Sequence, residues 1–107
     1  MIRAIYHRRH HRLTVTGHAR SAEEGRDLVC AGASTLALTL ASAVADLVEK
    51  GQASEPVLRL DKGDAEICCR SANRFKAVVT LVFDTVCGGF ELLATQYPEY
   101  IFYEIRQ

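Results

Sequence analysis

Residues 75–93, FKAVVTLVFDTVCGGFELL, decide the fold. The β-branched run from Val78 to Val82 has the composition of a strand. Over the longer window, however, Phe75, Val78, Val79, Val82, Phe83, Val86, Phe90 and Leu93 recur at the spacing of a helix with one apolar face. The longer period selects helix. Asn73 suits its N-cap and Pro98 its stop. Gly88 and Gly89 each weaken a helix by roughly 1 kcal/mol relative to Ala, so a kink or a close packing point is expected there.

Working outward, Val57–Leu60 and Ala65–Cys69 alternate about the turn signal Asp61, Lys62, Gly63, Asp64 and read as a hairpin. After Pro98, residues 100–105 alternate as a last strand. Upstream, Leu36, Leu40, Val44, Leu47 and Val48 repeat at helical spacing with Gly51 as C-cap, which predicts a first helix over 28–50. Its remaining faces are rich in Ala and Thr and are compatible with a dimer contact as well as with exposure. Residues 2–7 and 12–17 read as two strands joined by Arg8, Arg9, His10 and His11, a hairpin with an exposed basic tip. The order β-β-α-β-β-α-β predicts an α+β fold of two layers, a mostly antiparallel sheet with two helices on one face. Local pattern does not give the order of strands in the sheet.

With 107 residues the chain is read as a single domain, 1–107. Its 13 Lys plus Arg balance 13 Asp plus Glu, so no global charge points to nucleic acid. No secretory signal is visible, and the apolar run 31–48 is interrupted at Asp46, which argues for a core helix and against a membrane span. The four cysteines, Cys30, Cys68, Cys69 and Cys87, lack zinc-type spacing. Adjacent Cys68 and Cys69 would point to opposite faces of a strand. Reduced thiols in a cytoplasm are the natural reading. A metal held by His18, Cys30 and a strand cysteine is the weaker alternative, and neither metal nor cofactor is expected.

Chemistry concentrates in residues 17–34, GHARSAEEGRDLVCAGAS. His18 follows a strand-like segment, and Cys30 follows the helix-capping residue Asp27, so a base and a thiol become plausible neighbours across the polar loop 19–26. With Asp27 as N-cap, Cys30 would stand at about the third helical position, where unpaired amides and the helix dipole favour a thiolate. The same amides could hold an oxyanion. Ser34 lies one turn beyond Cys30 on the same helix face, and Ala31, Gly32 and Ala33 leave room for a peptide. Read singly, Cys30 is as well a small buried hydrophobe, His18 a surface residue, Asp27 a cap and Ser34 a packing residue.

Together, Gly17, His18, Ala19, Gly25, Asp27, Leu28, Val29, Cys30, Ala31 and Ser34 resemble the motif of the ribosomal-processing cysteine protease (Prp, YsxB-like) family. The similarity extends in length and element order over nearly the whole chain. The resemblance implies a small bacterial cytoplasmic cysteine endopeptidase, generally dimeric. Its substrate would be the N-terminal extension of a large-subunit ribosomal protein precursor, cut after an aromatic pair and before a small residue. Carried over, it makes Cys30 the nucleophile and His18 the general base, with Asp27 and Ser34 in support. It makes the loop from Ala19 to Arg26, flanked by Gly17 and containing Gly25, the segment that rearranges around substrate. The alternative reading is a non-catalytic ribosome-assembly or RNA-contacting module that uses the basic tip. RNA contact is otherwise not expected.

Overall fold

The computed structural model describes residues 1–17 and 24–107, and in 24–27 the backbone alone. The strands are β1 (Ile2–His7), β2 (Arg12–Thr16), β3 (Ser54–Asp61), β4 (Asp64–Arg70) and β5 (Ile101–Arg106). The helices are α1 (Glu24–Glu49) and α2 (Lys76–Gln96). The predicted element order holds, and residues 76–96 are helical through the β-branched run. The five strands lie in the order β3-β4-β2-β1-β5. All neighbours are antiparallel except β1 and β5, which run parallel. That last pairing joins the two ends of the chain.

Register explains the single core. Leu13 opposes Tyr6 and Ile67, while Ala4 opposes Val15 and Tyr103, so the pleat sends all of them to one face. Both helices cover that face. From α1 come Val29, Ala33, Ala37, Leu40, Val44 and Leu47, and from α2 Val79, Phe83, Cys87 and Phe90, all buried. Steps of three and four residues keep each row on one side of its helix. By length and composition, Leu28–Glu49 and Asn73–Gln96 are each apolar enough to cross a membrane, with mean hydropathy 1.9 and 1.7. Asp46 therefore does not disqualify the first segment as expected. In this fold the apolar rows of both helices face the sheet.

Three features differ from expectation. First, α1 begins at Glu24, so Asp27 is the fourth helical residue and not the N-cap, and residues 24–26, Gly25 included, belong to the helix and not to a loop. A carboxylate within the first turn complements the helix dipole as well as a cap does, which is why the sequence misplaces the start. Second, Asn73 opens a 3-10 turn, Asn73–Phe75, ahead of α2 and makes no side-chain cap. At Gly88 and Gly89, where a kink or a close packing point is expected, α2 runs unbroken, and Gly89 is the close packing point: an added Cβ would come within 2.6 Å of Leu36 Cδ2.

Third, the basic tip is folded back onto α2. Arg8 makes a two-pronged ion pair with Asp84, Nε donating to Oδ1 at 3.0 Å and Nη2 to Oδ2 at 3.1 Å. The buried Tyr6 hydroxyl donates to the same Oδ1 at 2.8 Å. His11 is only 5% exposed, with Nε2 2.7 Å from Thr80 Oγ1 and its ring tilted on Phe83. Arg9 and His10 remain exposed.

Burial holds the His11 pKa below the ordinary histidine value; Lys76 and Arg8 push the same way and Asp84 opposes them. The unfolded chain therefore binds a proton that the folded chain refuses. This contribution to stability is complete above about pH 6.5 and is lost as pH falls below it. His7, lowered by burial and then by Arg12 and Arg106, acts with the same sign. Urea unfolding at about pH 7.5 and about pH 5.5 should show lower stability in acid, and His11→Asn should remove most of that difference. An undiminished slope in the variant would assign it elsewhere.

Candidate active site

The rotation of α1 places the thiol. Val29 and Ala33 point into the core, so Cys30, Ser34 and Leu38, one residue further round, form the adjacent row on the helix flank. That row opens into a groove of about 460 Å³. Its floor and far wall are Ile2, Val15, Gly17, Leu60, Ala65 and the β3–β4 turn, Asp61 to Asp64. Cys30 is partly exposed and Ser34 exposed. The two therefore share one opening, as their spacing predicts.

His18 lies outside the described residues, as do Ala19 and the side chain of Asp27. What is described is the anchor just before His18. Gly17 adopts φ +88°, its N–H donates to the Gly63 carbonyl at 3.0 Å, and an added Cβ would stand 2.2 Å from the Met1 carbonyl oxygen. Only glycine fits such a backbone beside another backbone. The chain thus enters residue 18 from a fixed point on the rim of the groove that Cys30 lines.

The earlier helix start alters the electrostatics expected at Cys30. Cys30 is the seventh residue of α1, so its own N–H is committed to the helical ladder. The unpaired amides lie at the helix start, about one turn upstream. They do not abut the thiol in the way a cap at Asp27 would have arranged.

Sequence reasoning did not place the β3–β4 turn at the site. Its signal was a turn signal only, and the contact between residues near 30 and residues near 62 comes from packing. The turn is a two-residue hairpin loop, Lys62 and Gly63, with Gly63 at φ +77°. Arg59 Nη1 holds Asp64 Oδ2 at 2.6 Å and reaches Asp61 Oδ2 at 3.8 Å. The turn therefore presents braced carboxylates beside Lys62.

The other thiols are placed differently. Cys69 and Cys87 are buried, and burial pushes them up to about 11 and about 12. Cys68, on the opposite face of β4 from Cys69, is partly exposed and also raised by burial. Among the described residues no cluster of His, Cys, Asp and Glu is arranged to hold a metal ion. Iodoacetamide on the native protein at about pH 7.5 should alkylate Cys30, and Cys68 more slowly, while Cys69 and Cys87 react only after denaturation. Peptide mapping that finds Cys87 modified before Cys30 would contradict this placement.

The family model for cysteine protease Prp matches residues 1–102. The crystal structure of SMU.848 from Streptococcus mutans is 32% identical, with a TM-score of 0.74 over 98% of this chain and 93% of that one. An essential ribosomal processing protease Prp from S. aureus, solved with a substrate peptide, is 22% identical, with a TM-score of 0.67 over 98% of this chain and 97% of that one. The same S. aureus protease with a covalently linked product peptide gives 23% and 0.66 over the same shares. At those identities the S. aureus likeness shows the fold alone. No curated protein sequence matches the chain.

Proposed function

This chain belongs to the Prp cysteine protease family, and from that premise we propose that Cys30 is its nucleophile, His18 its general base and a ribosomal protein precursor its substrate. One observation carries the reading: the partly exposed Cys30 and the Ser34 side chain open together into one groove, and the chain is fixed at Gly17 immediately before His18. The Cys30 thiolate adds to the scissile carbonyl after His18 takes the thiol proton, and the same proton passes to the leaving amine as the C–N bond breaks. Water, deprotonated by His18, then cleaves the thioester and restores the thiol. A covalently linked product on the S. aureus relative supports nucleophilic over direct-water chemistry. Ser34 positions substrate or thiol. Asp27, inside the helix, supports the site from the first turn and not as its cap.

The whole of residues 1–107 serves as one protease domain, with no metal or cofactor in the chemistry. The substrate is the N-terminal extension of a large-subunit ribosomal protein, cut after an aromatic pair. The rearranging segment that the resemblance gives, Ala19 to Arg26, lies at residues 19–23 outside the described residues; its ordering by the right peptide would complete the site and spare generic proteins. Four unpaired cysteines suit a reducing cytoplasm. The exposed Leu28, Leu81 and Leu92 on the outer helix layer support a homodimer. The competing reading, an RNA-contacting module, loses support because Arg8 is paired and His11 is buried.

Incubation of the source organism's own ribosomal precursor with the protein should give one cut. Cys30→Ala and His18→Ala should each lower the rate by at least about 1,000-fold, while Ser34→Ala should cost less. Chromatography and mass spectrometry of the products read the outcome. A precursor left intact by the wild type, or cut equally by Cys30→Ala, would overturn the assignment.

A further inference from the structure

Two helices do not cover five strands. Adjacent strands stand about 4.8 Å apart, so the sheet is roughly 24 Å wide, whereas two packed helices at 8–10 Å spacing cover about 20 Å. The shortfall falls at β3, the edge strand, none of whose residues is fully buried. Leu58 and Leu60 oppose the core residues Ile67 and Ala65 across the ladder, so they point to the helix side. They are nevertheless 39% and 41% exposed. Facing this shelf from α1 is Leu38, 58% exposed, on the same flank as Cys30 and Ser34. Leu38 and Leu60 both line the groove that holds Cys30.

The geometry points to a second subsite: we propose that Leu38 and Leu60 form an apolar clamp for one large apolar side chain of the substrate, remote from the bond that is cut. Its distance follows from the helix. Eight residues separate Cys30 from Leu38, a rise of roughly 12 Å, and an extended peptide covers that length in about three to four residues. Small side chains at Ala33, Ala37 and Ala65 keep the channel between the two ends open. Leu38 and Leu60 border water on the free chain, so docking an apolar side chain there removes apolar surface from water on both partners. The occupant is the substrate peptide itself, because the shelf is continuous with the opening of Cys30. This inference rests on Cys30 being the nucleophile, and it adds a selectivity element distant from the reacting atoms.

The test uses a precursor peptide of about ten residues centred on the cut, a length that spans the clamp on either side of the bond. Leu38→Asp and Leu60→Asp replace exposed residues and leave the core intact. Each should raise KM about tenfold with kcat within about twofold, the signature of lost uniform binding. In a peptide series carrying single Lys substitutions, one position about three to four residues from the cut should bind wild type poorly and Leu38→Asp well. Such a charge-swap rescue would not arise from a merely structural Leu38. Unchanged KM in both variants, or no rescue at any position, overturns the clamp. Fluorescence anisotropy of the same peptides on Cys30→Ala backgrounds keeps this test separate from catalysis. If wild type cuts nothing while the Leu38→Asp background still weakens binding, the nucleophile assignment fails and the clamp stands.

Discussion

The phase of α1 is the constraint from which the rest of the site follows. Val29 is fully buried and Ala33 nearly so, and a rotation of the helix that exposed them would sacrifice roughly 25 cal/mol for every Å² of apolar surface returned to water. With that row fixed on the sheet, a step of one residue, about 100° of turn, decides what each flank does. One flank, Cys30 to Leu38, faces the groove beside the β3–β4 turn. The other, with Leu28, Gly32 and Leu36, meets Leu93 and Gly89 of α2. Cys30 owes its partial accessibility to the burial of Val29 and Ala33 beside it, while its own side chain packs on the edge of the same core.

The polar anchors lie at the opposite end of the strands and hold α2 as the apolar rows hold α1. Tyr6, Arg8 and Asp84 form one network, and His11 with Thr80 a second. Asp84 is held below the ordinary carboxylate range mainly by Arg8, and the Tyr6 hydroxyl is pushed up by burial and by Asp84. Because Tyr6 is buried, the carboxylate satisfies a hydroxyl that would otherwise lack a partner. The polar networks and the groove thus sit at opposite ends of the same strands.

Periodicity carried the element order, because residues 75–93 repeat at helical spacing over a longer window than the strand-like run inside them. It also carried the pairing of Cys30 with Ser34, a local property of one helix. Sheet order was not legible, since nothing between β1 and β5 in sequence encodes their contact. The start of α1 was misplaced because Asp27 suits a cap and a first helical turn equally well. The tip residues Arg8 and His11 read as exposed because their partners, Asp84 and Thr80, lie about seventy residues away. A shorter but still non-local separation in sequence hid Lys62 and Gly63 from the Cys30 groove they border.

Covalent acylation of Cys30 is the step on which the proposed chemistry turns. Rapid acid quenching of stoichiometric protein and precursor peptide, followed by intact-mass measurement, tests it without reliance on turnover. The expected species is heavier by the N-terminal product peptide less one water, with the adduct mapped to the peptide that contains Cys30. Product formation with Cys30 unmodified at every quench time in the pre-steady-state phase, or an adduct on another residue, would contradict it.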